Sequence, residues 1–394
     1  MLSKRIRTMT PSATNVLFAK VAQLREAGED IISFNVGEPD FQTPIEVRDE
    51  CKKALDAGKT KYAPVSGITP LKEAICEKFL KDNRIEYEKD QICISTGGKQ
   101  AVYNAVMAVC DPGDEILLPT PCWVSYVEMI KLAQGIPILI PPGEDYQLDF
   151  HALKNRITKK TKAIMINTPN NPTGACYTKE ALLELGKLAV EHDFYIISDE
   201  IYEKLVYDNN RHICIAGLSK EIYDRSIIIN GFSKSHAMTG WRIGYTAASK
   251  EISRGIAALQ GHITSNSTTF VQWAALEGLK TCDDSVEYMR KEFEKRRDFI
   301  YEAMNQIPGI HCTKPEGAFY LMPDVSSYFG KMACGRKIKT VDDLCMYLLE
   351  EAKIAVVPGS AFWIPSAVRF AYTDSMERLE EGMERFRNAM EKLQ

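Results

Sequence analysis

The sequence predicts an α/β fold with a mostly parallel central sheet, helices on both faces of that sheet and a smaller α+β domain. Three observations support this fold class. Short apolar runs alternate with helical segments from about residue 70 to residue 285, as in proteins whose parallel strands are joined by right-handed crossovers. A charged helical segment at 287–304 then introduces a region of mixed character. Finally, 394 residues are many for one hydrophobic core, so two domains are expected.

The individual elements follow from the apolar pattern and from the residues that interrupt it. A helical stretch over 14–28 leads to the run IISFNV at 31–36, which has strand character. Helices are expected over 45–57 and 71–82, and a last helix from about 375. Strands are expected at 92–95, 115–118, 136–140, 163–167, 194–198 and 226–229. The predicted regions are an N-terminal arm that is part of the small domain (1–44), a large α/β domain (45–284) and a small C-terminal α+β domain (285–394).

Composition and charge narrow the class of partners and the compartment. Hydrophobic residues make up 45% and charged residues 26%, and the net charge of −4 gives no support for nucleic acid or an anionic membrane as a partner. No apolar run approaches the roughly 18 residues of a spanning helix, and the basic N-terminus lacks the apolar core of a signal peptide. The eleven cysteines are scattered without a CxxC pair, so neither a zinc site nor a redox motif is expected. So many free thiols fit a reducing compartment, and a cytoplasmic location is expected.

Lys234 is the first candidate for chemistry. It lies in SIIINGFSKSHAMTGWRIGY, residues 226–245, just after a short β-branched run that predicts a buried strand. Open α/β sheets bind their ligands at the carboxyl ends of the strands, so a lysine there is well placed for function. A solvated loop lysine is the alternative, and position alone favours it.

A second group of polar residues follows the strand FYIIS. Asp199 comes directly after it, and Tyr202 lies three residues later. Such a carboxylate could cap a helix, which position alone favours, whereas a metal is not expected because no histidine adjoins it. An aspartate that faces a buried heterocyclic nitrogen would instead hold that nitrogen protonated. Asn171, in the turn NNPTG after the strand AIMIN, would place an amide in the same crevice.

Three further segments suggest ligand contacts. Gly98 and Lys99 open a helix after TG, and they match an anion site because glycine lets the backbone approach while helix N–H groups point at a phosphate. Trp123 is either part of the hydrophobic core or an aromatic side chain that stacks on a planar ring of a ligand. Arg369 lies inside the apolar strand VRFAY, and its buried charge requires a partner, usually a carboxylate held by two N–H groups.

Taken together and in order, these motifs resemble those of a known family. The motifs that carry the likeness are PSAT near the start, GEPDF, TKYAPVSGITPL, GGKQA, WVSY, NNPTGA, SDEIYE, FSKSHAMTGWRIGY, GAFY and VVPG, which extend over nearly the whole chain. The family is the class I aminotransferases, which use pyridoxal 5'-phosphate on fold type I. Within it, the chain is most similar to the bacterial aspartate aminotransferases of the thermophile-type subgroup.

The resemblance implies a role toward the cofactor for each matching residue, and it makes 45–284 the cofactor-binding domain. Lys234 would hold the cofactor as a Schiff base and move the proton during transfer. Asp199 would pair with the ring nitrogen, Trp123 would stack on the ring, and Tyr202 and Asn171 would hydrogen-bond its 3' oxygen. The phosphate would be surrounded by Gly98, Lys99, Ser233 and Arg242, with Tyr62 reaching it from the neighbouring subunit.

The resemblance also implies the substrate contacts. The α-carboxylate would be held by Arg369, the Gly37 backbone and Asn171, next to Trp123, while a side-chain carboxylate would meet Lys99, Ser12 and Thr14. One departure from the family pattern is Gly231, where many relatives carry serine. Phosphate binding is therefore expected to depend more on Ser233 and on the helix end at Gly98.

The implied function is that of a homodimeric aminotransferase whose active sites are shared between subunits. Its substrates would be small amino acids and 2-oxo acids, with L-aspartate as the favoured donor and 2-oxoglutarate as the acceptor. An aromatic or broad-specificity aminotransferase on the same scaffold is the alternative, and a pyridoxal-phosphate-dependent C–S β-lyase uses similar motifs. A non-catalytic regulatory protein ranks last because every expected catalytic position is filled and no DNA-binding segment is appended.

Overall fold

The computed structural model of the chain describes residues 2–10 and 13–394. Its α-helices are, in chain order, α1 (Lys4–Arg7), α2 (Ala13–Glu26), α3 (Ile45–Asp56), α4 (Thr69–Lys78), α5 (Gly98–Val109), α6 (Ser125–Leu132), α7 (Phe150–Lys154), α8 (Lys179–Glu191), α9 (Lys220–Arg225), α10 (Lys250–Ile263), α11 (Thr269–Thr281), α12 (Asp283–Asn305), α13 (Val341–Glu351) and α14 (Met376–Glu391). Its strands are β1 (Ile32–Ser33), β2 (Ile92–Ser95), β3 (Glu115–Pro119), β4 (Ile136–Ile140), β5 (Thr161–Asn167), β6 (Tyr195–Asp199), β7 (Ser226–Gly231), β8 (Gly244–Ala247), β9 (Tyr320–Leu321), β10 (Met332–Ala333), β11 (Arg336–Lys337), β12 (Ile354–Ala355), β13 (Val357–Pro358) and β14 (Val368–Ala371).

The central sheet has the predicted, mostly parallel character. Within the described residues it contains seven strands in the order β2-β8-β7-β6-β5-β3-β4. Strands β3, β4, β5, β6 and β7 are paired in parallel. Strand β8 runs antiparallel to both of its neighbours, β7 and β2. The α/β fold expected from the alternating pattern is confirmed.

Helices cover both faces of this sheet, as alternate residues of β7 illustrate. Ile227 and Ile229 pack into a cluster with apolar residues of α5, α6 and α10, whereas Ile228 packs into another with residues of α4, α8 and α11. All three isoleucines are completely buried. Burial of one such side chain stabilises a fold by about 1.5–3 kcal/mol, so β7 is firmly anchored between the two layers.

The register of the middle strands brings their carboxyl ends together. Asn167, the last residue of β5, pairs with Asp199, the last residue of β6, and Asp199 in turn pairs with Ile229 of β7. The chain leaves β7 after Gly231 and reaches Lys234 three residues later. Three parallel strands therefore deliver an amide, a carboxylate and a lysine to one edge of the sheet.

The C-terminal region forms a second, smaller set of sheets joined to the N-terminal segment. Strands β13, β14 and β9 are antiparallel, and β1 pairs in parallel with β12. Next to this pair, the Phe34 N–H donates to the carbonyl of Ala355 at 2.9 Å, and the Phe34 carbonyl accepts from the Ala371 N–H at 2.8 Å. The N-terminal segment thus lies between two C-terminal strands, although the division at residues 44 and 284 stays a prediction.

Several elements differ from the sequence-based expectation. The strand expected over 31–36 is limited to β1, because from Phe34 onward the backbone bonds to two separate strands. The helix expected over 71–82 is α4 followed by a π-helical turn at Phe79–Asn83. Strand β8 was not predicted, since it follows β7 without a crossover helix. In the part of the chain that the structure describes, no helix combines the length and the apolar character needed to cross a membrane.

Candidate active site

A cavity of about 430 Å³ opens at the carboxyl ends of β5, β6 and β7. Most of the residues predicted from the sequence line it together, namely Gly37, Gly98, Lys99, Trp123, Asn171, Asp199, Tyr202, Ser233, Lys234, Arg242 and Arg369. Tyr62 does not line it and is 92% exposed in the single chain. Ser12 lies outside the described residues, and for Thr14 only the backbone, in α2, is described.

Lys234 projects into this cavity as an amine with a lowered proton affinity. Its Nζ donates to the carbonyl of Gly37 at 2.5 Å and lies 5.6 Å from the centroid of the Phe319 ring. The pKa of Lys234 is lowered to about 8, mainly by burial and with the help of the nearby Arg242 and Arg369, while Glu38 and Asp199 oppose the shift. A lysine with a lowered pKa carries more of the free amine that attacks carbonyl groups at neutral pH.

Asp199 is a buried carboxylate whose hydrogen-bond partners are neutral. The Tyr126 hydroxyl donates to its Oδ2 at 2.6 Å, and the Ile201 N–H donates to Oδ1 at 3.3 Å. Burial raises the pKa of Asp199 to about 6, although the hydrogen bond from Tyr126 opposes that rise. A cationic ligand group placed beside it would offset this cost, because an opposite charge stabilises the ionised carboxylate.

An anion cradle lies where α5 begins. Gly97 has a φ of +83°, a left-handed conformation that glycine adopts without strain, and a Cβ there would lie 2.6 Å from a guanidinium nitrogen of Arg242. A Cβ on Gly244 would lie 2.5 Å from the backbone nitrogen of Gly98. The two glycines therefore leave room around the helix N-terminus and Arg242, which together suit a phosphate.

Gly231, the departure from the family pattern, has a packing reason in this chain. A Cβ at this position would lie 2.8 Å from the Cα of Gly244 and 3.0 Å from the carbonyl oxygen of Ile243. Because both contacts are with the backbone of the adjacent segment, a serine at 231 would force β7 and β8 apart. The close approach of these strands therefore requires glycine here.

Arg369 lies deep in the cavity on β14, only 3% exposed. Its Nη1 donates to Asn171 Oδ1 at 3.1 Å, and its Nη2 donates to the carbonyl of Asn35 at 2.8 Å. Its Nε is buried and has no hydrogen-bond partner among the described residues. Both partners are neutral, so the guanidinium has an unbalanced charge and a donor to spare, which a bound carboxylate would satisfy.

Lys99 and Trp123 face each other in the same cavity. Lys99 Nζ lies 4.7 Å from the centroid of the Trp123 ring, a cation–π geometry. Burial lowers the pKa of Lys99, and the neighbouring Arg242 lowers it further. Trp123 itself packs edge-on against Tyr126, with ring centroids 5.3 Å apart.

Three consecutive backbone carbonyls of the N-terminal segment each hold a side chain of this region. The carbonyl of Asn35 accepts from Arg369, that of Val36 accepts from the Thr373 hydroxyl at 2.9 Å, and that of Gly37 accepts from Lys234. The 35–37 backbone therefore positions residues from both the central sheet and the C-terminal region.

Among the cavity-lining residues that sequence reasoning missed, four contribute polar side chains with informative contacts. Asn167 accepts from the Asn171 N–H at 2.7 Å and donates to the Asp199 carbonyl at 2.8 Å, which ties the NNPTG turn to the end of β6. Tyr126 binds Asp199, and Tyr320 lies 2.9 Å, hydroxyl to hydroxyl, from Tyr202. Glu38 lines the cavity and accepts from the Thr239 hydroxyl. A signal existed for each, since they lie in AIMIN, WVSY, GAFY and GEPDF.

The chain is similar over its whole length to proteins of one known family. The family model described as "Aminotransferase class I and II" matches residues 29–386. The aspartate aminotransferase of Bacillus subtilis (strain 168) is 46% identical over 393 residues, which are 99% of each protein. The probable aspartate/prephenate aminotransferase of Aquifex aeolicus (strain VF5) is 46% identical over 396 residues, which are 100% of this chain and 99% of that protein.

Solved structures give the same result. The aspartate aminotransferase from Thermus thermophilus with maleate has a TM-score of 0.93 at 40% identity and covers 99% of both chains. The aspartate aminotransferase from Rhizobium meliloti has a TM-score of 0.96 at 37% identity and covers 100% of both chains.

The fold, the cavity and these matches define a pyridoxal-phosphate-dependent enzyme that transfers amino groups. The chain belongs to the class I and II aminotransferase family. The predicted family, fold type and cofactor are confirmed.

The cavity also suits pyridoxal 5'-phosphate on the geometry alone. Asp199 is a buried carboxylate with neutral partners, as a ring nitrogen requires, and the glycine-lined end of α5 beside Arg242 suits the phosphate. Lys234 is an amine with lowered pKa that reaches the same space, as a covalent link to an aldehyde requires.

Proposed function

We propose that the chain is an aspartate aminotransferase that moves the amino group of L-aspartate to 2-oxoglutarate. The observation that carries the choice of a dicarboxylic substrate is Lys99. Its ammonium lies in the cavity against the Trp123 ring and pairs with no carboxylate of the residues that the structure describes, and it is distinct from the guanidinium of Arg369. One cation for the α-carboxylate and another for a side-chain carboxylate suit aspartate and glutamate. The names of the full-length relatives support the same substrate class.

Toward the cofactor, we propose the following roles. When bound, pyridoxal phosphate supplies an electron-withdrawing ring that stabilises negative charge at the substrate Cα. Lys234 would hold the cofactor covalently and, as the free amine, would take and return the Cα proton, because its lowered pKa keeps part of it unprotonated at neutral pH. Asp199 would hold the ring nitrogen protonated, Tyr202 and Asn171 would donate to the 3' oxygen, and Trp123 would stack on the ring. Gly98, Ser233 and Arg242 hold the phosphate.

Toward the substrate, we propose that Arg369 binds the α-carboxylate. Its Nε, which lacks a hydrogen-bond partner within the described part of the chain, and its neutral neighbours, Asn171 and the Asn35 carbonyl, support this role. The Gly37 backbone N–H would donate to the same carboxylate, since Gly37 lines the cavity and its carbonyl is already engaged by Lys234. Lys99 binds the distal carboxylate, and Ser12 and Thr14 assist it.

A panel of donors tests the proposed function. The holoenzyme is mixed singly with aspartate, glutamate, phenylalanine, tyrosine, alanine and cystathionine, and the loss of the visible cofactor absorbance is followed without any 2-oxo acid. Aspartate is expected to react fastest, and 2-oxoglutarate is expected to restore the absorbance. Prephenate is tested as a second acceptor, because relatives carry the name aspartate/prephenate aminotransferase. Preferred reaction with phenylalanine would favour the aromatic alternative, and pyruvate and thiol release from cystathionine would favour the β-lyase.

Replacing Lys99 tests the specificity directly. We expect Lys99→Ser to lower kcat/KM for aspartate and glutamate roughly ten- to a hundred-fold, since a charge-assisted contact contributes about 1.5–3 kcal/mol. The kcat/KM for phenylalanine and alanine is expected to change much less. Steady-state kinetics with the four donors measure both effects.

The control for this variant is Lys89→Ser, which removes an exposed lysine that is paired with Glu73 at 3.4 Å outside the cavity. It is expected to leave all four values near those of the wild type. Equal losses for acidic and neutral donors in Lys99→Ser would assign Lys99 to the cofactor phosphate instead. The aspartate preference would then be withdrawn, while the aminotransferase chemistry would remain.

We also propose that the enzyme is a homodimer whose sites are completed by Tyr62 of the neighbouring subunit. A tyrosine that is 92% exposed and lies outside the cavity of its own chain supports this arrangement. When Tyr62→Ala and Lys234→Ala protomers are mixed, each hybrid dimer would contain one intact site. With random pairing, activity is expected to reach about a quarter of the wild-type value.

Subunit exchange in that experiment is verified with differently tagged protomers, and self-mixtures of each variant are the controls. Hybrids no more active than the parents would mean that one chain builds the whole site.

We further propose a cytoplasmic location. All eleven cysteines lie in the described residues and are free thiols there, which supports a reducing compartment.

A further inference from the structure

We propose that Tyr320 is a positioning residue that couples the Tyr202 hydroxyl to the Arg369 guanidinium. This inference rests on the proposed function, in which Tyr202 serves the cofactor and Arg369 serves the substrate. Tyr320 is 1% exposed, lines the cavity and lies on β9, which pairs with β14. Its partner in that register, Ala371, is two residues from Arg369. The pairing of the strands therefore fixes Tyr320 beside the guanidinium.

The Tyr320 side chain uses its two ends for two different contacts. Its hydroxyl lies 2.9 Å from the Tyr202 hydroxyl, and the two rings meet edge to face at 84° with centroids 5.8 Å apart. The Arg369 Cζ lies 4.7 Å from the centroid of the Tyr320 ring. The hydroxyl end thus contacts the residue proposed for the cofactor oxygen, and the ring face contacts the residue proposed for the substrate carboxylate.

A third contact holds the hydroxyl in place. A Cβ built on Gly37 would lie 2.2 Å from the Tyr320 oxygen, so the hydroxyl packs directly over the Gly37 backbone. The carbonyl of the same glycine accepts from Lys234 at 2.5 Å. Glycine at this position is therefore what allows one tyrosine to reach Tyr202 without displacing the segment that binds Lys234.

The direction of the Tyr202–Tyr320 hydrogen bond follows from the number of protons. Each phenol has one O–H donor. If Tyr202 donates to the cofactor oxygen, its oxygen is left to accept, so Tyr320 must be the donor between them. A hydroxyl that accepts a hydrogen bond becomes a stronger donor in turn. Tyr320 therefore strengthens the contact that Tyr202 makes, while its ring holds the Arg369 guanidinium by cation–π attraction.

Two variants separate the two contacts. Tyr320→Phe removes the hydroxyl and keeps the ring, so it should raise the pH midpoint of the holoenzyme's visible absorbance by roughly 0.3–1 unit, because the ionised cofactor oxygen loses stabilisation. It should change the Kd for maleate, a dicarboxylate that cannot be transaminated, by less than about twofold. Tyr320→Leu also removes the ring and should weaken maleate binding about 3- to 30-fold.

The matched control is Tyr328→Phe, which removes a buried hydroxyl that donates to the Pro308 carbonyl at 2.6 Å and does not line the cavity. It should leave the absorbance midpoint and the maleate Kd at their wild-type values. If Tyr320→Leu does not fold, Tyr320→Met replaces it, because an unbranched side chain fills the space more readily.

Each outcome decides one half of the coupling. A Tyr320→Phe midpoint equal to the wild-type value overturns the link to Tyr202, and wild-type maleate binding by the ring-deleted variant overturns the link to Arg369. Neither readout depends on which amino acid is transaminated, since the absorbance needs no substrate and Arg369 would bind any carboxylate. Failure of the wild type to react with aspartate would refute the proposed function and would leave this comparison intact.

Discussion

Lys234→Ala is expected to lose several orders of magnitude in kcat while it still binds the cofactor. The covalent link and the proton transfer are assigned to the same amine, so both disappear in one substitution. Noncovalent binding should persist because the anion cradle at α5, Asp199 and the Trp123 ring are untouched. Single-turnover kinetics with aspartate and equilibrium dialysis of the cofactor measure the two effects separately.

The control is Lys131→Ala, which removes a lysine of α6 whose side chain is 44% exposed and pairs with Glu128. It should retain wild-type turnover. Borohydride reduction of the wild-type holoenzyme, followed by peptide mapping, should place the cofactor on the peptide that contains Lys234. A label on any other lysine would refute the assignment, whatever the kinetics show.

Asp199→Asn is expected to show the second-largest loss of turnover, roughly two to four orders of magnitude. The reason is that the charge on the cofactor ring is proposed to drive the reaction. An amide cannot hold the ring nitrogen protonated, so negative charge at the substrate Cα is stabilised less. The estimate corresponds to roughly 3–5 kcal/mol, the range found when one partner of a buried charge pair is removed. The rate of Cα deprotonation in a single turnover measures it, and an unchanged rate would contradict the role.

The same variant has a second readout that needs no cofactor. Burial raises the pKa of Asp199 from 3.8 to about 6, so the folded protein holds this proton more tightly than the unfolded chain does. The stability that the bound Asp199 proton gives to the folded state is therefore complete below pH 3.8 and is lost as the pH rises through 6. Asparagine does not titrate. Between pH 4 and pH 7, the free energy of unfolding of the cofactor-free wild type should fall by about 2–3 kcal/mol relative to that of Asp199→Asn.

Urea denaturation of the two apoenzymes at each pH measures this difference. Asp193→Asn is the matched control, because the Asp193 side chain is 89% exposed and pairs only with Arg225 among the described residues. Its free energy of unfolding should follow that of the wild type with pH. A wild type that tracks Asp199→Asn in the same way would show that Asp199 is not desolvated in the apoenzyme.

The sequence predicted those site residues whose position depends on the chain pattern alone. Lys234, Asp199 and Asn171 each follow an apolar run, and parallel strands bring such positions to one edge of the sheet. Arg369 was recognisable because a charge within the run VRFAY demands a partner. Gly98 was recognisable from a glycine pair at a helix start. For the first three residues the local sequence and one rule of sheet topology are sufficient, whereas Arg369 and Gly98 were selected from their local sequence alone.

The remaining contacts depend on distances between strands that no local pattern encodes. The Tyr126 hydroxyl lies 2.6 Å from Asp199 Oδ2, and the Tyr320 hydroxyl lies 2.9 Å from that of Tyr202. Both contacts exist only because segments far apart in the sequence pack against each other. The sequence does not predict strand β8, because a run of four residues without a preceding crossover helix gives too weak an apolar pattern. The roles assigned to the site residues all stay predictions, and that of Tyr62 also requires a second chain.

The carbonyls of Asn35, Val36 and Gly37 each hold a different side chain, and this arrangement has a consequence for engineering. Because backbone carbonyls make these contacts, the identity of the side chain at Val36 matters less than the number of residues between Asn35 and Gly37. A one-residue insertion there would shift the acceptors for Arg369, Thr373 and Lys234 together. A library that varies this segment should therefore keep its length fixed, and chimaeras with relatives should place their junctions elsewhere.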